Sequence, residues 1–127
     1  MSHQSNFKPG KLKTKDHTNY KIAIVNTQWN KAITTKLEDG AIKSLLDNKI
    51  KKSNISIHHV PGAFELVFAA NRIVQQLKPD AVICLGCIIK GDTPHDIYIC
   101  QAVSEGIMQL NIDHAVPVIF DTRRNRP

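Results

Sequence analysis

Apolar positions along the chain fall into two alternating patterns. Ile22, Ala23, Ile24 and Val25 form a short unbroken run that ends at Asn26. A run of that kind predicts a strand covered on both faces. Ile33, Leu37, Ala41 and Leu45 then recur every four residues and lay one apolar stripe along a helix. Asn30 is placed to cap its start. Asn48 with Lys49, Lys51 and Lys52 closes it in a way that suits the helix dipole. Ile55, Ile57 and Val60 mark a second strand, punctuated by Pro61-Gly62. A second helix follows, with Phe64, Val67, Phe68, Ile73, Val74 and Leu77 available for burial, and Pro79 stops it. Residues 81–89 (Ala-Val-Ile-Cys-Leu-Gly-Cys-Ile-Ile) are the strongest strand signal and belong at the centre of a covered sheet. A polar loop, Lys90 to His95, leads into a third helix, and Pro94 suits its first turn. That helix directs Ile97, Ile99, Val103, Ile107 and Leu110 inward, and Val116 to Phe120 forms a fourth strand.

The order is β-α-β-α-β-α-β. Alternation of this kind predicts an α/β fold with right-handed crossovers. The expected architecture is a three-layer α-β-α stack around a four-stranded parallel sheet, flavodoxin-like in type. Ligands collect at the carboxyl ends of strands in such sheets. Four segments meet there: Asn26 to Asn30, Val60 to Glu65, Cys87 to His95, and Phe120 onward.

Composition narrows the functional classes. With 127 residues, 42% apolar, the chain supports one domain, expected over residues 21–120. Residues 1–20 read as a polar, Lys-rich arm, and 121–127 as a C-terminal tail. No apolar run approaches the roughly 18 residues that span a bilayer, and the N-terminus lacks an apolar signal region. A cytoplasmic location without membrane partners is the expectation. The net charge of +6 is carried largely by lysines before Ser53. These are not interleaved with aromatics, and no nucleic-acid-binding signature is present, so no nucleic-acid partner is expected. Cys84, Cys87 and Cys100 sit in apolar segments, which favours reduced, buried thiols over a disulfide scaffold.

Several residues could carry chemistry. The loop Gly91-Asp92-Thr93-Pro94-His95 leaves a buried strand and opens a helix, where backbone N–H groups and the dipole favour an anion such as phosphate. His95 in the first turn could exchange protons near neutral pH. A Thr-Pro helix cap followed by a solvated histidine describes the same residues equally well. Trp29 is the only tryptophan and follows the first strand. It could stack on a planar heterocycle, or simply fill a core or an interface. Glu65 opens a helix, where the dipole favours a carboxylate in any case; it could also hold hydroxyls of a polyol. Cys84 and Cys87 form a Cys-x-x-Cys pair, but inside a strand rather than at a helix start, so neither redox nor metal function is expected. His58 and His59 point to opposite faces of a strand and should not share a metal. Glycine-rich dinucleotide and P-loop fingerprints are absent. Any phosphate is therefore expected on a small substrate.

Four segments resemble one family in order and spacing. They are Ile22 to Asn30, Val60-Pro61-Gly62-Ala63-Phe64-Glu65, Leu85 to His95 with its Gly-x-x-Ile-x-Gly-x-Thr-x-His pattern, and Val116 to Phe120. Together they are similar to the lumazine synthases of riboflavin biosynthesis. The resemblance implies a transferase that condenses 5-amino-6-(D-ribitylamino)uracil with 3,4-dihydroxy-2-butanone 4-phosphate to 6,7-dimethyl-8-ribityllumazine. It implies no metal and no organic cofactor. By motif, Trp29 would stack on the pyrimidine, while Ala63, Phe64 and Glu65 would hold the ribityl amine. Cys87, Ile88 and Ile89 would bind the pyrimidine edge through their backbone, and Asp92 and Thr93 would hold the phosphate. His95 would be the catalytic proton-transfer residue. Phe120 would reach the pyrimidine site of an adjacent subunit. The implied partners are the two small substrates, further copies of the chain in a pentamer or a 60-subunit icosahedral shell, and riboflavin synthase. The arm would pair with a neighbour's sheet.

The pattern breaks after Phe120. The family continues there with a Gly-Val-Leu-Thr-like turn and further helices carrying a phosphate-gripping arginine and a lysine. Here the residues are Asp121-Thr122-Arg123-Arg124-Asn125-Arg126-Pro127, and no family role transfers to these arginines. A second expectation therefore stands beside the first: a catalytically impaired lumazine- or flavin-binding assembly subunit of the same fold. A different α/β enzyme acting on a small phosphorylated sugar is a third.

Overall fold

The computed structural model describes residues 17–125. Most of the expected arm, residues 1–16, and the last two residues of the tail lie outside them, and with the arm lies its expected pairing to a neighbour. Seven main elements follow the expected order: β1 (Ile22–Thr27), α1 (Lys31–Asp47), β2 (Ile55–Val60), α2 (Leu66–Leu77), β3 (Ala81–Ile89), α3 (His95–Asp113) and β4 (Val118–Asn125). Single 3-10 turns precede β1, β2 and α2.

The four strands form one parallel sheet in the order β2-β1-β3-β4. Every residue of β1 is buried, and β3 is buried from Cys84 to Ile88. These are the two most deeply buried strands, and the sheet places them side by side. Ala23 pairs with Val82 and Val25 with Cys84. These four face a single core with Leu66, Ala70, Ile73 and Val74 of α2, Val103, Ile107 and Leu110 of α3, and Val118 of β4. The opposite face belongs to α1. There the Asn26 amide donates to the Thr34 carbonyl (2.9 Å) and to Glu38 (3.2 Å). Three layers result, with α1 on one side of the sheet and α2 with α3 on the other.

Side-chain hydrogen bonds pin the ends. Asp80 accepts from the Lys21 N–H (2.7 Å) and ties the start of β3 to β1. Asn111 bridges α3 to β4: its amide donates to the Ile107 and Val118 carbonyls, and its oxygen accepts from the Val118 N–H (2.8 Å).

Several expectations are corrected. Phe64 and Phe68 are 69% and 72% exposed, and Leu77 is also exposed. The helix starts at Leu66, so positions 66, 70, 73 and 74 define its buried face, and Phe68 is carried round to the other side. Ile97 is likewise exposed on α3, whose buried face follows Val103, Ile107 and Leu110. Asn30 does not cap α1 with its side chain. Its backbone is left-handed (φ 59°), and its carbonyl accepts from Ile33 and Thr34 instead. The expected stripe on α1 is only half-buried, and Thr34 is its one fully buried residue. The last strand begins at Val118 rather than Val116 and runs on to Asn125. The nine residues of β3 supply ladder partners that far, up to Ile89 opposite Asn125.

Two helical glycines make opposite demands. A Cβ on Gly106 of α3 would stand 2.7 Å from Val67 Cγ2 of α2, whereas one on Gly40 of α1 would meet nothing within 4 Å. Gly106→Ala is therefore expected to destabilise the fold by about 1–3 kcal/mol through overpacking. Gly40→Ala should stabilise it by about 0.5–1 kcal/mol through helix propensity. Urea unfolding of the two variants checks this; equal shifts would mean that α2 and α3 do not meet at Gly106.

Candidate active site

The strand order reverses at β1: the chain leaves β1 toward β2 and returns over it to β3. Such a switch opens a crevice at the carboxyl ends of the two strands. A cavity of about 400 Å³ lies there, within the range of roughly 300–1,000 Å³ that takes small ligands. Its walls come from three of the four expected segments.

The first is the turn after β1. The Gln28 N–H donates to the Val60 carbonyl (2.8 Å), which extends the β1–β2 ladder one residue past Thr27. The left-handed Asn30 then turns the chain into α1. Between them Trp29 stands 66% exposed at the cavity. The second segment is Gly62 to Glu65, where a 3-10 turn of Ala63–Glu65 follows β2. Glu65 accepts from the Gly62 N–H through Oε2 (3.1 Å). A carboxylate has about four lone-pair sites, so Glu65 keeps acceptor capacity for a ligand. The third segment runs from the end of β3 into α3 and contributes Cys87, Ile88, Ile89 and His95, the last as the first residue of the helix.

Eight of the eleven expected site residues thus share one cavity: Trp29, Ala63, Phe64, Glu65, Cys87, Ile88, Ile89 and His95. Asp92 and Thr93 do not line it. They are exposed in the loop before His95, where the chain has already left the sheet. Phe120 is not in the wall either; it is half-buried on β4, packed against the α2–α3 core. Three lining residues escaped the sequence reading: Gly62, Asp96 and Ile99. Gly62 was legible as the partner of Pro61 in a turn. Ile99 lies one helical turn after His95, so the 3.6-residue period carried that signal. Asp96 carried no signal beyond that of an acid in the first turn of a helix.

The wall is largely apolar, with polar function concentrated in Glu65, His95 and Asp96. Burial pushes the Cys87 thiol up, which keeps it protonated and unsuited to nucleophilic attack. Cys84 is pushed up to about 12 by the same cause and faces the opposite side of the sheet. Behind the site, His59 pairs with Glu38 (2.7 Å), and Glu38 also takes the Asn26 amide, which braces the end of β1 against α1. Burial and the neighbouring His59 hold the His58 imidazole below its usual range. Among the described residues, no group of three or more His, Cys, Asp or Glu is placed to hold a metal.

Comparison with known proteins identifies the family. The family model for 6,7-dimethyl-8-ribityllumazine synthase matches residues 19–122. The chain belongs to that family. It is 50% identical over 100 residues to the 6,7-dimethyl-8-ribityllumazine synthase of Porphyromonas gingivalis, a match covering 79% of this chain and 62% of that protein. The enzyme of the same name from Parabacteroides distasonis is 46% identical over 105 residues, covering 83% and 66%. That from Bacteroides fragilis is 47% identical over 100 residues, covering 79% and 70%. The chain therefore spans a little under two thirds of the length of the first two of these family members. The matched region contains every segment that builds the cavity.

The Cys84 thiol generates a prediction. The folded state keeps its proton between pH 9 and about 12, whereas the unfolded state loses it above 9. Its contribution to stability is thus fully present below pH 9 and lost as pH rises toward 12. Relative to Cys84→Ala, the native chain should lose about 1 kcal/mol more stability between pH 9 and pH 10. Urea unfolding at the two pH values measures this, and parallel curves would show that the thiol is not desolvated.

Proposed function

We propose that the chain condenses 5-amino-6-(D-ribitylamino)uracil with 3,4-dihydroxy-2-butanone 4-phosphate to give 6,7-dimethyl-8-ribityllumazine, phosphate and water. The observation that carries this reading is the convergence of Trp29, Glu65 and His95 on one cavity at the switch point of a lumazine synthase-family sheet.

Each residue type suits a part of the reaction. Trp29 offers an exposed aromatic face at the cavity for the flat pyrimidine. Ala63, Phe64 and Glu65 border the space for the ribityl chain, with Glu65 accepting from its hydroxyls. Cys87, Ile88 and Ile89 end a strand, so backbone groups there can meet the pyrimidine edge. Asp92 and Thr93 lie just outside, where the N-terminus of α3 favours a phosphate. His95 stands between these regions and moves protons. The amine attacks the ketone and expels water to form an imine; phosphate then leaves, and ring closure releases a second water. Holding the two reactants together supplies much of the rate.

We also propose that copies of the chain assemble into a homo-oligomer, a pentamer or a shell of pentamers, with Phe120 approaching a neighbour's pyrimidine. The exposed Phe68, Tyr98, Met108 and Ile112 on α2 and α3 support such a contact. A cytoplasmic location and association with riboflavin synthase complete the proposal. Among the described residues, no helix is long and apolar enough to cross a membrane.

Replacing His95 and Trp29 separates chemistry from binding. His95→Ala should lower kcat by about 10²–10⁴-fold and leave pyrimidine affinity nearly unchanged. Trp29→Ala should weaken pyrimidine binding by about three- to tenfold. Steady-state kinetics and calorimetric titration of the pyrimidine read both. Unchanged turnover in His95→Ala, or unchanged affinity in Trp29→Ala, would contradict the assigned roles. Tight pyrimidine binding by the native chain with no turnover would favour a lumazine- or flavin-binding assembly subunit instead.

A further inference from the structure

Asn26 is an exception in its strand. Ile22 to Val25 are apolar, yet the residue that follows them is an amide only 2% exposed. Burying an amide is costly unless its hydrogen bonds are made. Here the amide donates to the Thr34 carbonyl (2.9 Å) and to Glu38 Oε1 (3.2 Å), and the side-chain oxygen accepts from the Thr27 N–H (2.9 Å). β1 pairs with β3 only as far as Asn26. That last bond therefore takes up the N–H at which β1 leaves its neighbour.

These partners do more than satisfy the amide. Thr34, the one fully buried residue of α1, holds the chain on both sides of the turn. Its carbonyl takes Asn26 before the turn. Its N–H (3.0 Å) and its hydroxyl (3.2 Å) donate to the Asn30 carbonyl after it. Residues 26–30 are thus closed into a loop on a single residue of α1. Glu38, one helical turn further on, ties Asn26 to His59 of β2 (2.7 Å). Trp29 belongs to this loop, and its ring is largely exposed at the cavity. Neighbouring side chains cover little of the ring, so its direction depends on the backbone on either side.

We propose that Asn26 is a positioning residue: it closes the loop so that the Trp29 ring is held ready to stack on the pyrimidine amine. This rests on the function proposed above. Asn26 does not line the cavity and is turned toward α1; it acts through Trp29. A ring ordered before binding loses less freedom on stacking than the same ring on a loose turn.

Asn26→Val puts an apolar side chain suited to a buried strand in place of the amide. Trp29 is the only tryptophan, so its fluorescence anisotropy decay reads this turn alone. The variant is expected to gain a fast component of local ring motion. Its dissociation constant for 5-amino-6-(D-ribitylamino)uracil, from calorimetric titration, should rise about threefold through partial loss of stacking. The KM for that substrate should rise with it at unchanged kcat. In a Trp29→Ala background the same substitution should change the affinity no further, because the two residues act as one unit. Unaltered ring motion or native affinity in Asn26→Val would overturn the proposal. So would an equal loss in the Trp29→Ala background, the mark of a residue that supports the whole site rather than this ring. If Asn26→Val does not fold, Glu38→Ala takes its place and is held to the same outcomes. It removes one acceptor of the same amide at a helical position that alanine suits. A native chain that does not bind the pyrimidine would overturn the proposed function, while the ring motion would still decide whether Asn26 holds Trp29.

Discussion

The parallel pairing of β1 with β3 is the constraint on which the rest of the molecule depends. Both strands are apolar on both faces, so each needs a helical layer above and below. Right-handed crossovers then leave little choice. The connection through α1 covers one face on its way to β2, and the return through α2 covers the other on its way to β3. The helices diverge at the carboxyl ends of β1 and β3, and a crevice opens where no side chain is obliged to fill the core. Trp29 leaves β1 at that point, and Cys87, Ile88 and Ile89 bring β3 to it.

Around this crevice the polar residues divide into those that brace the scaffold and those that line the cavity. Asn26, Thr34, Glu38 and His59 satisfy one another behind β1 and fix the angle at which the chain reaches Trp29. Asp80 and Asn111 do the same for the strand starts. Glu65, His95 and Asp96 face the cavity and are its only titratable groups apart from a thiol held protonated by burial. That separation leaves a braced scaffold with a few polar groups at the cavity, the arrangement that the proposed reaction would use.

Much of this was legible in the sequence, and the misses share a cause. The unbroken runs at 22–25 and 81–89 identified the central strands because burial on both faces leaves no polar alternation to confuse the reading. The cavity-lining residues were legible where a turn or strand end isolates them, as with Trp29, Glu65 and His95. The failures concern which face of an element points inward. Phe68 and Ile97 are as apolar as the residues that are buried, and only the phase of the helix against the sheet decides between them, while Phe64 falls in the turn before α2. The end of β4 was missed because Asp121, Thr122 and Arg123 are polar, whereas the length of β3, an element distant in sequence, provides their ladder. Asp96 was missed because an acid at a helix start has a sufficient local explanation, and its burial depends on the packing of α3 over the carboxyl end of the sheet.

The central claim is that this cavity forms the lumazine. The most direct measurement is the appearance of 6,7-dimethyl-8-ribityllumazine fluorescence when the purified 127-residue chain meets both substrates, set against the same mixture without protein. The account predicts saturable formation well above the spontaneous rate, with one phosphate released per lumazine. A folded chain that gives only the spontaneous rate at saturating concentrations of both substrates would contradict it.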